Sequence, residues 1–165
     1  MCGDAVDNDG DAKTDCEDSD CNNVTCGTGC TCSGLNKVET ACGDSLDNDG
    51  DAATDCADPN CNAVSCGTGC TCVAGAYKEI TCSDGFDNDF DLLADCEDSN
   101  CNGVSCGTGC LCVGLVRKET TCNDSLDNDL DGDVDCADSD CPTGTTCSAT
   151  GSPVVKCCGN KTCAC

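Results

Sequence analysis

Apolar side chains are sparse along this chain and break up polar stretches instead of lining a face. Leu, Ile, Val and Phe together number 22 of 165 residues, and no apolar run approaches the 18 residues of a membrane span. Two kinds of stretch alternate. The first is an aspartate-rich loop such as Asp7 to Asp18, DNDGDAKTDCED. The second places short segments on either side of a glycine: Cys30 to Ser33 and Lys37 to Thr40 around Gly34, and Leu111 to Val113 and Arg117 to Thr120 around Gly114. These predict short hairpins, which are marginal alone and need further support. Between loop and hairpin, Cys16 to Cys21 predicts one helical turn, and no longer helix is expected.

The alternation has a 40-residue period, marked by Cys2, Cys42, Cys82 and Cys122. It divides the chain into repeats at residues 1–41, 42–81 and 82–121, with a divergent fourth repeat at 122–165. Each of the first three carries six cysteines, which implies three bridges, although six cysteines allow 15 pairings. Cys26-Gly27-Thr28-Gly29-Cys30 recurs at 66–70 and 106–110 and reads as a tight turn with glycines at positive φ. A phosphate loop would need a buried strand before it and a helix after it, and the sequence offers neither. In the fourth repeat, Cys158, Cys163 and Cys165 align with Cys26, Cys30 and Cys32. That alignment leaves Cys147 and Cys157 as an expected extra bridge and Pro142 to Lys156 as an inserted loop.

Composition removes the option of an ordinary core, because so few aliphatic residues at a net charge of −25 normally leave a chain disordered. Order must come from crosslinks and ions. The 26 cysteines mark a disulfide scaffold and an oxidising compartment, so a secreted, extracellular or cell-surface location is expected. The start holds no secretory signal peptide, and the sequence reads as a mature or excised form. Its negative charge argues against nucleic acid or an anionic membrane as partner, and no membrane insertion is expected.

All 27 aspartates fall in the loop halves of the repeats, so their clustering is chemical. In the first loop, Asp7, Asp9, Asp11, Asp15 and Asp18 occupy positions one, three, five, nine and twelve, from which an EF-hand-type loop sends oxygens to calcium. The other loops supply Asp47, Asp49, Asp51, Asp55 and Asp58; Asp87, Asp89, Asp91, Asp95 and Asp98; and Asp127, Asp129, Asp131, Asp135 and Asp138. Position seven, occupied by Lys13, Ala53, Leu93 and Asp133, would contribute a backbone carbonyl. About four Ca2+ ions per chain are expected.

Two further periodic acids flank the loops. Glu39, Glu79 and Glu119 either pair with the nearby Lys37, Lys78 and Lys118 or help the next cation site, and the ion pair is the simpler reading. Asp4, Asp44, Asp84 and Asp124, three residues before their loops, either add a ligand or cap a turn.

The motif DNDGDAKTDCED resembles the calcium loops of thrombospondin type 3 repeats. The whole unit, CxDxxDNDxDxxxDCxDxxC followed by CGTGCxC, is more similar to aspartate-rich metal-binding repeats of secreted bacterial proteins, over residues 2 to 141. That resemblance implies a calcium-dependent, extracellular, non-enzymatic architecture wrapped around ions. Two features depart from EF-hand loops. Position six, usually glycine, is Ala12, Ala52 and Leu92 before Gly132, and the last ligand is Asp in place of a bidentate Glu. The flanking helices of a calcium sensor are therefore not expected.

The expected fold is a small, disulfide-rich, calcium-stabilised tandem repeat, an elongated rod of short hairpins and single helical turns. Its expected role is structural, as a stalk, adhesin segment or filament subunit that associates head to tail, with a cell-surface or matrix partner. Head-to-tail association is expected because neither end reads as a cap. The chain has no histidine, so a haem site and a histidine base are excluded, and no apolar pocket is predicted to raise a catalytic carboxyl pKa. The alternative is a thiolate store for zinc, copper or iron, built on CxC pairs such as Cys30 and Cys32; it needs reduced cysteines and leaves the aspartate period unexplained.

Overall fold

The computed structural model describes residues 1–147 and 155–163. Each of the first three repeats forms one antiparallel three-stranded meander. The strands are β1 (Thr25–Gly27), β2 (Cys30–Ser33) and β3 (Asn36–Glu39); β4 (Ser65–Gly67), β5 (Cys70–Val73) and β6 (Ala76–Glu79); and β7 (Ser105–Gly107), β8 (Cys110–Val113) and β9 (Val116–Glu119). No α-helix occurs among the described residues. The expected helical turn is a pair of 3-10 turns, Asp15–Glu17 with Ser19–Cys21 in the first repeat, and this pairing recurs in the next two. No helix is long and apolar enough to cross a membrane among the described residues.

Local chemistry explains the hairpins. Gly34 and Leu35 join β2 to β3 at φ 57° and 68°, and Ala74 and Gly75 join β5 to β6 at 51° and 87°. Positive φ at both central residues is the type I′ turn, whose twist matches that of the flanking strands. With Ser33 opposite Asn36, the pairing runs in step to Cys30 opposite Glu39, so β3 starts and ends one residue earlier than expected. The CGTGC turn is present, and it also carries a strand that the sequence did not announce. β1 pairs with β2 through Thr25 and Thr31, and a bulge precedes Gly27.

Sulfur is the core. Within each of the first three repeats the buried cluster consists of cysteines, with Val64 and Val104 partly buried against the second and third. The connectivity is Cys2–Cys21, Cys16–Cys32 and Cys26–Cys30 in the first repeat. The next two repeat it as Cys42–Cys61, Cys56–Cys72 and Cys66–Cys70, then Cys82–Cys101, Cys96–Cys112 and Cys106–Cys110. Every described cysteine is disulfide-bonded, consistent with an oxidising environment.

The fourth repeat corrects the expected bridge. Cys147 pairs with Cys163 and Cys157 with Cys136, while Cys122–Cys141 matches Cys2–Cys21. The cause is backbone register. Gly144 N–H donates to Cys157 O at 2.8 Å and Cys157 N–H to Thr145 O at 2.8 Å, as Asn23 and Cys32 do with Cys32 O and Val24 O in the first repeat. Cys157 therefore occupies the place of Cys32. The expected insertion at Pro142 to Lys156 lies partly outside the described residues.

By contact density the chain forms two compact units. One comprises Met1–Ile80 with Asn88–Phe90, and the other Thr81–Asp87 with the described residues from Asp91 onward.

Candidate metal centre

The second loop is held open by its own backbone. Asp47 Oδ1 accepts the N–H groups of Gly50 at 2.7 Å and Asp51 at 3.2 Å, and Oδ2 accepts that of Ala52 at 3.0 Å. Asp51 Oδ1 accepts Ala53 N–H at 2.8 Å. To follow this path Gly50, Ala52 and Asp55 adopt φ of 84°, 77° and 51°. Position six therefore takes the left-handed conformation even where it is not glycine, at a cost of about 1–2 kcal/mol for an L-residue.

The two terminal aspartates of the loop go different ways. Asp55, at position nine, turns toward the segment that precedes the loop. Its Oδ1 accepts Asp44 N–H at 3.0 Å, and its Oδ2 accepts Ser45 N–H and Tyr77 O–H at 2.9 Å each. Asp58, at position twelve, caps the second 3-10 turn: Oδ1 accepts Asn60 N–H at 2.7 Å, while Oδ2 is buried without a hydrogen-bond partner.

Glu39 reaches this centre from the end of β3. It is 1% exposed. Its N–H donates to Asp49 Oδ2 at 3.2 Å, its Oε1 accepts Asp55 N–H at 3.1 Å, and its Oε2 is buried with no partner. Its carboxyl also meets that of Asp58. Burial raises the Glu39 pKa, opposed by the Asp55 N–H and reinforced by the Asp58 and Asp55 charges. Asp49 is likewise raised, first by burial and then by Asp51 and Asp58. Asp51 stands at the exposed rim, beside a solvent-open cleft that Lys37, Asp49 and Asn60 also line.

The fourth loop repeats the arrangement. Glu119 N–H donates to Asp129 Oδ2 at 3.0 Å, Glu119 Oε1 accepts Asp135 N–H at 3.0 Å, and Glu119 Oε2 accepts Asn128 N–H at 3.2 Å. Cys141 Sγ lies 3.5 Å from Oε1 but belongs to a disulfide and has no proton to donate. Asp138 Oδ2 is buried without a partner. Burial raises Glu119, Asp129 and Asp138, and neighbouring carboxylates add to each shift. The expected Lys118–Glu119 pair does not form: Lys118 binds Asp140, and Glu119 points inward because its strand end is covered by the loop.

In the first loop, Asp7 is lowered by the N–H groups of Gly10 and Ala12. Asp11 Oδ1 accepts Lys13 N–H at 2.9 Å, Asp15 accepts Asp4 and Ala5 N–H at 3.0–3.1 Å, and Asp18 caps Asp20. Asp9 is exposed where Asp49 and Asp129 are buried.

The third loop keeps the same local bonds. Asp87 accepts Asp91 and Leu92 N–H, Asp91 accepts Leu93 N–H, Asp98 accepts Asn100 N–H, and Asp89 accepts Glu79 N–H. Asp95 accepts Asp84 and Gly85 N–H, with Arg117 Nη2 at 3.1 Å. In the fourth, Asp127, Asp131 and Asp135 accept Gly132, Asp133 and Ser125 N–H. The Asp44-type residues cap turns: Asp44 Oδ1 accepts Leu46 N–H at 2.9 Å.

Chemically, the second and fourth centres are all-oxygen and over-supplied with carboxylates, buried at Glu39, Asp49 and Asp58 and at Glu119, Asp129 and Asp138 and open to solvent at Asp51 and Asp131. Unpartnered buried oxygens carry a desolvation cost that a hard cation offsets. These residues are candidate ligands for a divalent cation. Triplets of neighbouring cysteines, such as Cys16, Cys26 and Cys32, also cluster, but their sulfurs are in disulfides and are not thiolate ligands. Sequence reasoning favoured an ion pair for the glutamates, although their 40-residue period in step with the loops was a usable signal. Comparison of the chain with protein-family models, with curated proteins and with solved structures returned no match.

Proposed function

We propose that this chain is an extracellular, secreted structural protein whose aspartate loops hold calcium, one ion per loop and about four per chain. Its role is mechanical and not enzymatic, as a stalk, adhesin segment or head-to-tail filament subunit with a cell-surface or matrix partner. The observation that carries this reading is the pair of buried carboxylate oxygens, Glu39 Oε2 and Asp58 Oδ2, which have no hydrogen-bond partner in a centre that Asp49 also enters. All-oxygen donors favour calcium or magnesium over zinc or copper. The thiolate-store alternative draws no support from cysteines that are all disulfide-bonded in the described residues.

Elemental analysis of protein purified without added calcium, followed by titration with calcium, magnesium and zinc, tests the proposal. Four calcium ions per chain with intact disulfides is the expected result. Fewer than three, or zinc uptake accompanied by free thiols after denaturation, would overturn it.

A further inference from the structure

The loop aspartates account for only part of the second and fourth centres. Glu39 and Glu119 belong to the last strand of one repeat, yet their carboxyl groups lie inside the loop of the next. Three observations converge on each glutamate. It is nearly fully buried, at 1% and 2% exposure, where an ordinary strand-end glutamate would be solvated. It is held in place by its own N–H on the position-three aspartate and by its Oε1 on the position-nine N–H, and in Glu119 the second oxygen also accepts Asn128 N–H at 3.2 Å, leaving its remaining lone pair for a cation. And the buried oxygens beside it, Asp58 Oδ2 and Asp138 Oδ2, have no hydrogen-bond partner, as Glu39 Oε2 has none.

Position nine shows the complementary behaviour. Both oxygens of Asp55 accept donors from the turn before the loop and from Tyr77, and Asp135 accepts Asp124 and Ser125 N–H at 3.1 Å each. The residue that an EF-hand-type pattern would count as a ligand is thus engaged in latching the preceding turn.

We propose that Glu39 and Glu119 are direct cation ligands, standing in for the position-nine aspartates Asp55 and Asp135. Each site is then composite: the end of β3 or β9 supplies the glutamate, and the following loop supplies Asp49, Asp51 and Asp58 or Asp129, Asp131 and Asp138. One ion fastens two consecutive repeats together. The length of the side chain matters, because glutamate spans from a strand end into a loop whose own aspartates are fixed by their backbone bonds. This inference rests on the calcium reading above and adds a ligand and an inter-repeat role to it.

Selective carbon-13 labelling of glutamate tests it in the intact, disulfide-bonded chain. The sequence holds five glutamates against 27 aspartates, so the side-chain carboxyl spectrum is sparse, and the exposed Glu17 and Glu97 are internal controls. Signals are assigned by their loss in Glu39→Gln and Glu119→Gln. Calcium is expected to shift the Glu39 and Glu119 carboxyl resonances and leave Glu17 and Glu97 in place. Ion counting by native mass spectrometry gives the second readout. Glu39→Gln should need at least tenfold more free calcium to regain the parent count, and Asp55→Asn should retain that count at the parent's calcium level. If calcium binds with unshifted Glu39 and Glu119 signals, or if Asp55→Asn loses an ion and Glu39→Gln does not, the composite site is overturned while the calcium reading stands. If the parent binds no calcium, both fail.

Discussion

Glu39 Oε1 accepts the backbone N–H of Asp55 at 3.1 Å, a bond that spans 16 residues and joins the last strand of one repeat to the loop of the next. It anchors an acidic side chain whose second oxygen is buried without a hydrogen-bond donor and whose carboxyl meets that of Asp58. A group so placed is unfavourable without a counter-ion. The same bond recurs from Asp135 N to Glu119 Oε1 at 3.0 Å, so the arrangement belongs to the repeat and is not a local accident.

Ions and bridges are expected to share the work of holding the chain. Closing loops with separations of 16 and 19 residues contributes roughly 3 kcal/mol per bridge in the chain-entropy model. Calcium at a hundredfold above its dissociation constant adds about 2.7 kcal/mol per site. Chelation alone should loosen the loops and leave protected amides such as Cys72 N–H, which donates to Val64 O at 2.9 Å. Chelator with reductant should abolish protection throughout. Hydrogen exchange that persists under both treatments would contradict a core made of sulfur.

Ala52 sits at φ 77° with its loop otherwise well bonded. Replacing it with glycine removes left-handed strain but adds unfolded-state entropy, and the balance should stabilise the protein by about 0.5–1 kcal/mol. Denaturation midpoints in saturating calcium will read this directly. The opposite change, Gly50→Ala at φ 84°, should destabilise by about 1 kcal/mol.

Gly43 is required for a different reason. A Cβ there would stand 2.2 Å from Cys66 O, a backbone atom that has no free rotor to move aside. Gly43→Ala should cost about 2–3 kcal/mol through overpacking. Gly34→Ala, at φ 57° with open space around it, should cost only about 1 kcal/mol. Equal losses for the two in calcium-saturated denaturation would show that close approach is not the constraint at Gly43.

Tyr77→Phe removes one of three donors on Asp55 and leaves both backbone N–H bonds. About 0.5–1.5 kcal/mol of stability should be lost. The calcium count should not change, because Asp55 latches the turn. A lost ion in elemental analysis would place Asp55 among the ligands.

In the fourth repeat, proteolysis without reduction followed by mass spectrometry should return Cys136 linked to Cys157 and Cys147 linked to Cys163. A Cys147–Cys157 peptide would refute the register described for Gly144 and Thr145.

Much of this protein was legible in one dimension because its signals are local. The aspartate loops, the glycines of the CGTGC turns, the 3-10 turn near Cys16 and the β2–β3 hairpin around Gly34 all depend on residues within a few positions of one another. The apolar deficit likewise dictated that cysteines must form the core. Three features needed the tertiary structure. Disulfide partners such as Cys2 and Cys21 depend on which backbone segments meet, and six cysteines in a row leave that choice open. Cys157 was misaligned because cysteine order alone cannot reveal the hydrogen-bond register that sets it above Cys136. Glu39, followed in sequence, is one more charged residue near a lysine. Only the packing of the next loop over the end of β3 removes it from water and turns it toward Asp49 and Asp58, and burial is a property of that packing, not of the residue.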